Sequence, residues 1–359
     1  MTEILLTIFF ISVLLFFLGS GIWVALSMIG VSAIGMMLFT SRPVGDAMAT
    51  TIWGTSSSWT LTALPLFVWM GEILFRTKLS ENLFRGLSPW MQKLPGGLIH
   101  VNIVGCALFA AISGSSAATV ATVGKMSIPE LRKRKYPEKI LLGSLAGSGT
   151  LGLLIPPSII LIIYGVAVQE SIAKLFIAGI IPGIMIALIF MSYVIIWSLI
   201  NKKTMPKILE EYSFIDKIKR SKQLLPVIIL IVAVIGSIYT GIATATEAAS
   251  LGVLGALILS YFQKSLTVET FKSSLLGATK TSCMIAFILA GSTFLSLAMG
   301  FTGLPRNLAL WIQNMELSPY VLIFVLMIFY IILGMFLDGI SAVVLTMAII
   351  EPMIRQAGF

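Results

Sequence analysis

The stretch Gly147–Leu161, GSGTLGLLIPPSIIL, sits inside an apolar run long enough to cross a bilayer. Three glycines, two serines, Thr150 and the Pro156-Pro157 pair fall where a spanning helix should be smooth. At bilayer depth each unsatisfied backbone group costs several kcal/mol, so irregular backbone survives there only when buried in protein or lining a watery cavity. Two half-helices that meet at such a break aim free N–H groups at anions and free carbonyls at cations. The break is therefore read as a binding region.

Composition supports membrane depth. Hydrophobic residues make up 58% of 359 and charged residues 11%, and the mean hydropathy is +1.02. A soluble domain of this size cannot hide that much apolar surface, so the fold class is an all-α polytopic membrane protein. The net charge of +9 lies in short segments between apolar runs, which reflects topology and excludes a nucleic-acid role. Cys106 and Cys283 share no metal-type spacing and are read as buried free thiols. The N-terminus MTEILLTIFFISVLLFFLGSG lacks a basic region and reads as a first membrane helix, not a cleaved signal. No nucleophile–base pair, metal cluster or phosphate loop is visible, and GSGTLG lies outside any strand–helix unit, so an enzyme is not expected.

Apolar spans fall at about 3–18, 21–40, 48–75, 140–168, 172–200, 222–240, 242–262 and 274–300. Two further stretches, about 96–128 and 318–352, are interrupted by SGSS and LDGIS; each is too long for one span and short for two. Basic residues decide their course. Segments 76–93, 124–139, 201–222 and 264–280 hold twenty of the twenty-four Lys and Arg residues. The positive-inside rule makes these four cytoplasmic. Both flanks of 96–128 are then cytoplasmic and both flanks of 318–352 external, so each stretch should be a re-entrant hairpin, entered from opposite faces.

A weak internal repeat agrees. GIWVALSMIG at Gly21 matches GIATATEAAS at Gly241, LSENL (Leu79–Leu83) matches LPRNL (Leu304–Leu308), and Pro129 matches Pro352, at offsets of 220, 225 and 223. The order and spacing imply a first repeat over 1–200, a basic cytoplasmic loop over 201–221 and a second, inverted repeat over 222–359. Inverted-topology repeats are a signature of secondary transporters. The second copy is expected to be incomplete, as in a C-terminally truncated product, because a counterpart of the opening stretch would fall near about 370–380.

At the first hairpin tip, Gly114 between Ser113 and Ser115 allows a turn with inward hydroxyls. Gly147, Ser148, Gly149 and Thr150 unwind the next span, and Pro156-Pro157 keeps it open. Together they offer carbonyl and hydroxyl oxygens, the donors a hard cation such as Na⁺ takes. Asp338, at the second tip, has no basic neighbour and sits opposite Ser115 by the 223 offset. Intramembrane acids are functional candidates by default. Glu72 instead precedes Arg76 by four residues, as an ion pair would. Glu247 follows Thr244 by three, as in a capping box. His100, the only histidine, is read as an interfacial or packing residue.

AAISGSSAATVATVG, GSGTLGLLIPPSIILIIYGVAVQESIAKLFIAGIIPG and TATEAASLG closely resemble the large membrane subunit of TRAP (tripartite ATP-independent periplasmic) transporters. The resemblance implies a sodium-driven, elevator-type importer of organic acids in the bacterial cell inner membrane. Its partners would be a small four-helix membrane subunit and a periplasmic substrate-binding protein. Sodium sites are implied at Ser113, Gly114, Ser115 and Ser116, at Gly147 to Thr150, and from Asp338 to Ser341. Substrate is expected against Ser115, Thr119, Pro156 and Pro157. The alternative is a self-sufficient sodium/dicarboxylate elevator carrier that needs no binding protein.

Overall fold

The computed structural model describes residues 3–77, 79–206, 212–222, 224–303, 318–335, 337 and 339–358. Among them the chain is helical throughout: α1 (Glu3–Gly19), α2 (Val24–Phe39), α3 (Val44–Ser56), α4 (Ala63–Phe75), α5 (Leu79–Met91), α6 (Ile99–Ser113), α7 (Ser116–Lys133), α8 (Glu138–Gly149), α9 (Ile159–Val168), α10 (Ile172–Ile200), α11 (Phe214–Ser221), α12 (Leu225–Tyr239), α13 (Ala245–Phe262), α14 (Val268–Thr302), α15 (Pro319–Gly334) and α16 (Gly339–Gln356). Short 3-10 turns lie at Trp59–Thr62, Thr150–Leu153 and Lys202–Thr204.

Helices α10, α13 and α14 are each long and apolar enough to cross a membrane, and α2, α6, α9 and α15 are shorter apolar helices. Along α10 the residues Ile177, Ile181, Ile184, Leu188 and Ile196 lie on the exposed surface, Ile181 at 77%. In water so continuous an apolar strip would be strongly unfavourable; in a bilayer it is the lipid-facing side. Among the described residues the chain is all-helical, as a polytopic membrane protein is.

The expected span 48–75 is two helices, α3 and α4, separated by Ser57, Ser58 and the turn Trp59–Thr62. The polar run Thr55–Ser58 supplies hydroxyls that bond back to the chain, as Ser57 does to the Trp53 carbonyl at 2.7 Å, and so favours an end over a continuation. The stretch 140–168 is broken where glycine and proline fall. Helices α5 and α11 lie in segments where only basic connections were expected. Cys106 is buried, but Cys283 is exposed. An apolar run in a membrane helix does not reveal which side faces lipid, so the two thiols look alike in sequence.

Two compact units divide the chain. One comprises Thr62–Gly165 and Glu170–Ser282. In it α4 packs on α13, and α6 packs on α7 and α8. Its core gathers Ile99, Ile103, Ala110, Ile140, Leu151 and Val194, flanked by Tyr136, Ile155 and Phe190. The expected ion pair is present: Arg76 binds the Glu72 carboxylate and its Nε donates to Ser273 Oγ at 3.0 Å. Thr244 and Glu247 form the expected capping box at the start of α13, the Thr244 amide donating to Glu247 Oε2 at 2.8 Å. His100 is buried, and its Nε2 lies 2.8 Å from the Pro95 carbonyl, a packing role.

The other unit comprises Met1–Leu61, Val166–Gln169 and Cys283–Phe359. Met36, Phe294 and Ala298 form a core there with Val44, Ala47 and Met48 against them. Ser292 Oγ donates to the Val344 carbonyl at 2.6 Å, tying α14 to α16. Leu322 and Met353 pack α15 on α16.

Candidate functional site

Helix α6 ends because Gly114 takes the left-handed conformation, φ +58°, which L-residues with a Cβ avoid. Its amide still donates to the Ala110 carbonyl at 3.0 Å. Ser115 then turns extended and becomes the N-cap of α7, its Oγ accepting from the Ala118 amide at 3.4 Å. The chain doubles back, so that Gly105 on α6 faces Val123 on α7. Gly114 and Ser115 are therefore the tip of a helical hairpin.

Hydroxyls converge at that tip. Ser113 Oγ lies 2.9 Å from Thr119 Oγ1, and Thr119 Oγ1 donates to the Ser115 carbonyl at 2.7 Å. Ser113 and Thr119 are buried, whereas Ser115 and Ser116 are half-buried. Both ends of the hairpin are polarised here: α6 brings its carbonyl end and α7 its amide end, with partial charges of opposite sign.

The broken span meets this tip. Helix α8 stops at Gly149, the turn Thr150–Leu153 follows, and α9 starts only at Ile159. Prolines 156 and 157, joined by a cis peptide, bring no N–H to the carbonyls of Gly152 and Leu153 four residues back. The Ser158 hydroxyl donates to the Leu153 carbonyl instead. Across the gap, the Ile159 amide donates to the Gly114 carbonyl at 3.3 Å. A Cβ on Gly114 would stand 2.9 Å from the Pro157 carbonyl oxygen, and one on Gly152 2.9 Å from the Ser115 carbonyl. A Cβ on Gly149 would collide with Val120. Glycine is thus required at 114 and 152 for backbone to approach backbone, and Gly149 leaves room for the Val120 side chain.

The structure sorts the expected site residues. Ser113, Gly114, Ser115, Ser116 and Thr119 come together at the tip, with Gly149, Pro156 and Pro157 buried on the facing break. Gly147 faces the Phe190 ring of α10 instead. Ser148 turns inward, its Oγ 3.4 Å from the Asn102 carbonyl, and Thr150 bonds back to the Gly147 carbonyl at 2.7 Å. Ser341 is buried in α16, and Asp338 lies outside the described residues. Two contributors were not singled out from sequence. Gly152 lies against the tip. Asn102, fully buried, donates from Nδ2 to the Leu141 carbonyl at 3.3 Å and to Ser144 Oγ at 3.1 Å, pinning α8 to α6. A lone asparagine inside an apolar run was the available signal.

The arrangement suits binding. Carbonyls at the ends of α6 and α8 favour a cation, and amides at the starts of α7 and α9 favour an anion, within one buried, glycine-lined seam.

Comparison with known proteins gives the lineage. The family model "Tripartite ATP-independent periplasmic transporter, DctM component" matches residues 9–359. The chain is 31% identical over 328 residues to the C4-dicarboxylate TRAP transporter large permease protein of Pseudomonas aeruginosa, covering 91% of this chain and 76% of that protein. It is 31% identical over 344 residues to the sialic acid TRAP transporter large permease protein of Vibrio cholerae, covering 95% and 79%. It is 30% identical over 356 residues to the ectoine/5-hydroxyectoine TRAP transporter large permease protein of Ruegeria pomeroyi, covering 98% and 82%. With its glycine-lined hairpin and broken span, the chain belongs to the DctM-component family of TRAP transporters, as a large membrane permease subunit and not an enzyme.

Proposed function

We propose that this subunit imports an organic acid, coupled to Na⁺, across the bacterial inner membrane. A periplasmic binding protein delivers the substrate, and a small four-helix membrane subunit completes the assembly. In this reading 1–200 and 222–359 are inverted repeats, and 96–128 and 318–352 are re-entrant hairpins. The hairpins that hold the sites move as an elevator.

The observation that carries the reading is the Ile159–Gly114 hydrogen bond, which holds the hairpin tip against the break in the next span. Sodium would take oxygens from the tip (Ser113 to Ser116) and from the break (Gly147 to Thr150), with a second site from Asp338 to Ser341. A carboxylate of the substrate would meet the amide end of α7 beside Ser115 and Thr119, with Pro156 and Pro157 shaping the floor. An ion that draws tip and break together would complete the carboxylate site, so substrate would bind after sodium. The relatives named for C4-dicarboxylate, sialic acid and ectoine transport support a carboxylate-bearing substrate. Family membership favours binding-protein dependence over a self-sufficient carrier.

The test is uptake of a labelled organic acid into proteoliposomes holding this chain with its small subunit and binding protein. Uptake should require an inward Na⁺ gradient and the binding protein. Equal uptake with K⁺ replacing Na⁺ would remove the coupling, and equal uptake without the binding protein would favour the self-sufficient carrier.

A further inference from the structure

Helix α11 is short, amphipathic and charged. Phe214, Ile215 and Ile218 occupy one side of it and are 66%, 74% and 44% exposed. At 100° per residue these three fall within one 100° arc. Lys217 and Lys219 flank that arc on either side, and Arg220 and Asp216 point away from it. With Lys222 the segment 212–222 carries four cations against the single acid Asp216.

The helix is held in place by contacts on its neighbouring side. Trp90 of α5 donates from Nε1 to Ser221 Oγ at 2.8 Å, packs edge-on against Phe214 with centroids 6.2 Å apart, and lies 5.4 Å from Lys217 Nζ. Arg220 stacks over Tyr212 at 4.4 Å. These contacts leave Ile215 and Ile218 outward. Helix α12 follows at 56° to α11. Its own residues Leu225, Ile228, Ile229 and Val232 are apolar and exposed.

We infer that α11 is an anchor for the cytoplasmic leaflet, seating Phe214, Ile215 and Ile218 among acyl chains while Lys217, Lys219 and Lys222 bind anionic phospholipid headgroups. Three features select lipid as the occupant. Lys217 and Lys219 border the apolar arc, where long side chains reach up to headgroups, and Lys222 follows at the helix end. The segment has an excess of positive charge facing an anionic leaflet. Exposed apolar residues also line α12, the helix that follows, which together with α11 is apolar enough to enter a membrane. Each basic residue near an anionic surface shifts the docked-to-undocked ratio about fivefold.

The test uses the full chain with Cys106 and Cys283 replaced by serine and an environment-sensitive fluorophore on Ile215→Cys, in nanodiscs. One set contains about one-third phosphatidylglycerol in phosphatidylcholine, the other phosphatidylcholine alone. In the anionic discs the label should emit as from an apolar medium and be quenched by nitroxides placed just below the headgroup. Lys219→Gln and Lys222→Gln should each lower the docked-to-undocked ratio about fivefold in anionic discs and leave it unchanged in neutral ones. A label on Ile181→Cys, on the exposed strip of α10, reports that the chain is inserted in every sample. Water-like emission quenched by iodide in both lipids would overturn the proposal. So would an apolar signal beyond reach of lipid nitroxides, which would mean that a protein surface covers the helix.

Discussion

The amide of Ile159 donates to the carbonyl of Gly114 at 3.3 Å, joining the first residue of α9 to the C-cap of α6. The bond closes a long loop of chain with the backbone alone, and it exists because no side chain stands between the two strands of backbone. Gly114→Ala should destroy that fit twice, by forcing an alanine to φ +58° and by setting a methyl 2.9 Å from the Pro157 oxygen. The left-handed conformation alone costs about 1–3 kcal/mol. We expect a lower melting temperature in detergent and loss of uptake. Gly143→Ala, where a Cβ meets nothing within 4 Å, is the control and should be neutral or slightly stabilising. A Gly114→Ala protein as stable as the wild type would show that the tip is not held against the break.

Ser115 and Glu247 both serve helix starts, yet only Ser115 lies at the seam. Each substitution by alanine removes an N-terminal capping interaction worth about 1 kcal/mol. Sodium dependence separates them: Ser115→Ala should raise the Na⁺ concentration for half-maximal uptake several-fold, and Glu247→Ala should not. Asp338→Asn should behave like Ser115→Ala. An unchanged sodium curve for Ser115→Ala would reduce the tip to a packing seam between helices.

Much of this arrangement was legible because it depends on residue type. A positive φ favours glycine, and a missing N–H marks proline, so Gly114 and Pro156-Pro157 announce breaks without any structure. The Thr244–Glu247 box and the Glu72–Arg76 pair follow from spacings of three and four. Other parts were hidden because a membrane helix is apolar whether it faces lipid or protein, which erases the periodicity that marks buried faces in soluble helices. The contact of Gly152 with Ser115, the inward turn of Ser148 toward Asn102 and the outward face of Cys283 all depend on that lost information. Helix α11 escaped for another reason: at eight residues, its apolar arc is too short to stand out in a basic segment.

The pair Glu72–Arg76 has a structural role, with both side chains about a quarter exposed. Glu72→Gln should cost about 1 kcal/mol, since a half-screened ion pair is worth little more, and should leave sodium dependence intact. Gly277→Ala probes the same spot from the facing helix, because its methyl would stand 2.6 Å from Glu72 Oε2. A thermal shift for both variants with unaltered uptake is the expected result. Loss of sodium coupling in Glu72→Gln would move this acid into the ion site.

Topology is tested directly by Lys93→Cys and Lys133→Cys in a chain lacking Cys283, whose thiol is exposed. Lys93 precedes α6 and Lys133 is the last residue of α7, so the two sit at the two ends of the hairpin. An impermeant maleimide should label both from the cytoplasmic face of oriented vesicles. Labelling from opposite faces would make the hairpin a crossing and abolish the inverted repeat.

The connection between α7 and α8 offers a prediction in pH. The Tyr136 hydroxyl accepts the Leu98 amide at 3.0 Å, and burial pushes the phenol above its ordinary value of 10.0, with the Leu98 hydrogen bond and Arg134 opposing. Folding therefore favours the neutral phenol. The stability this contributes is complete below about pH 10 and is lost as pH rises through the higher folded value. Tyr136→Phe removes the acceptor and strands a buried amide, at a cost of about 1–3 kcal/mol at neutral pH. It also removes the titrating group, so the variant should melt lower at pH 7 but lose less stability than the wild type between pH 9 and 11 by about the amount the phenol contributes. Melting curves that fall in parallel over that range would show that Tyr136 is not the group whose ionisation loosens this end of the hairpin.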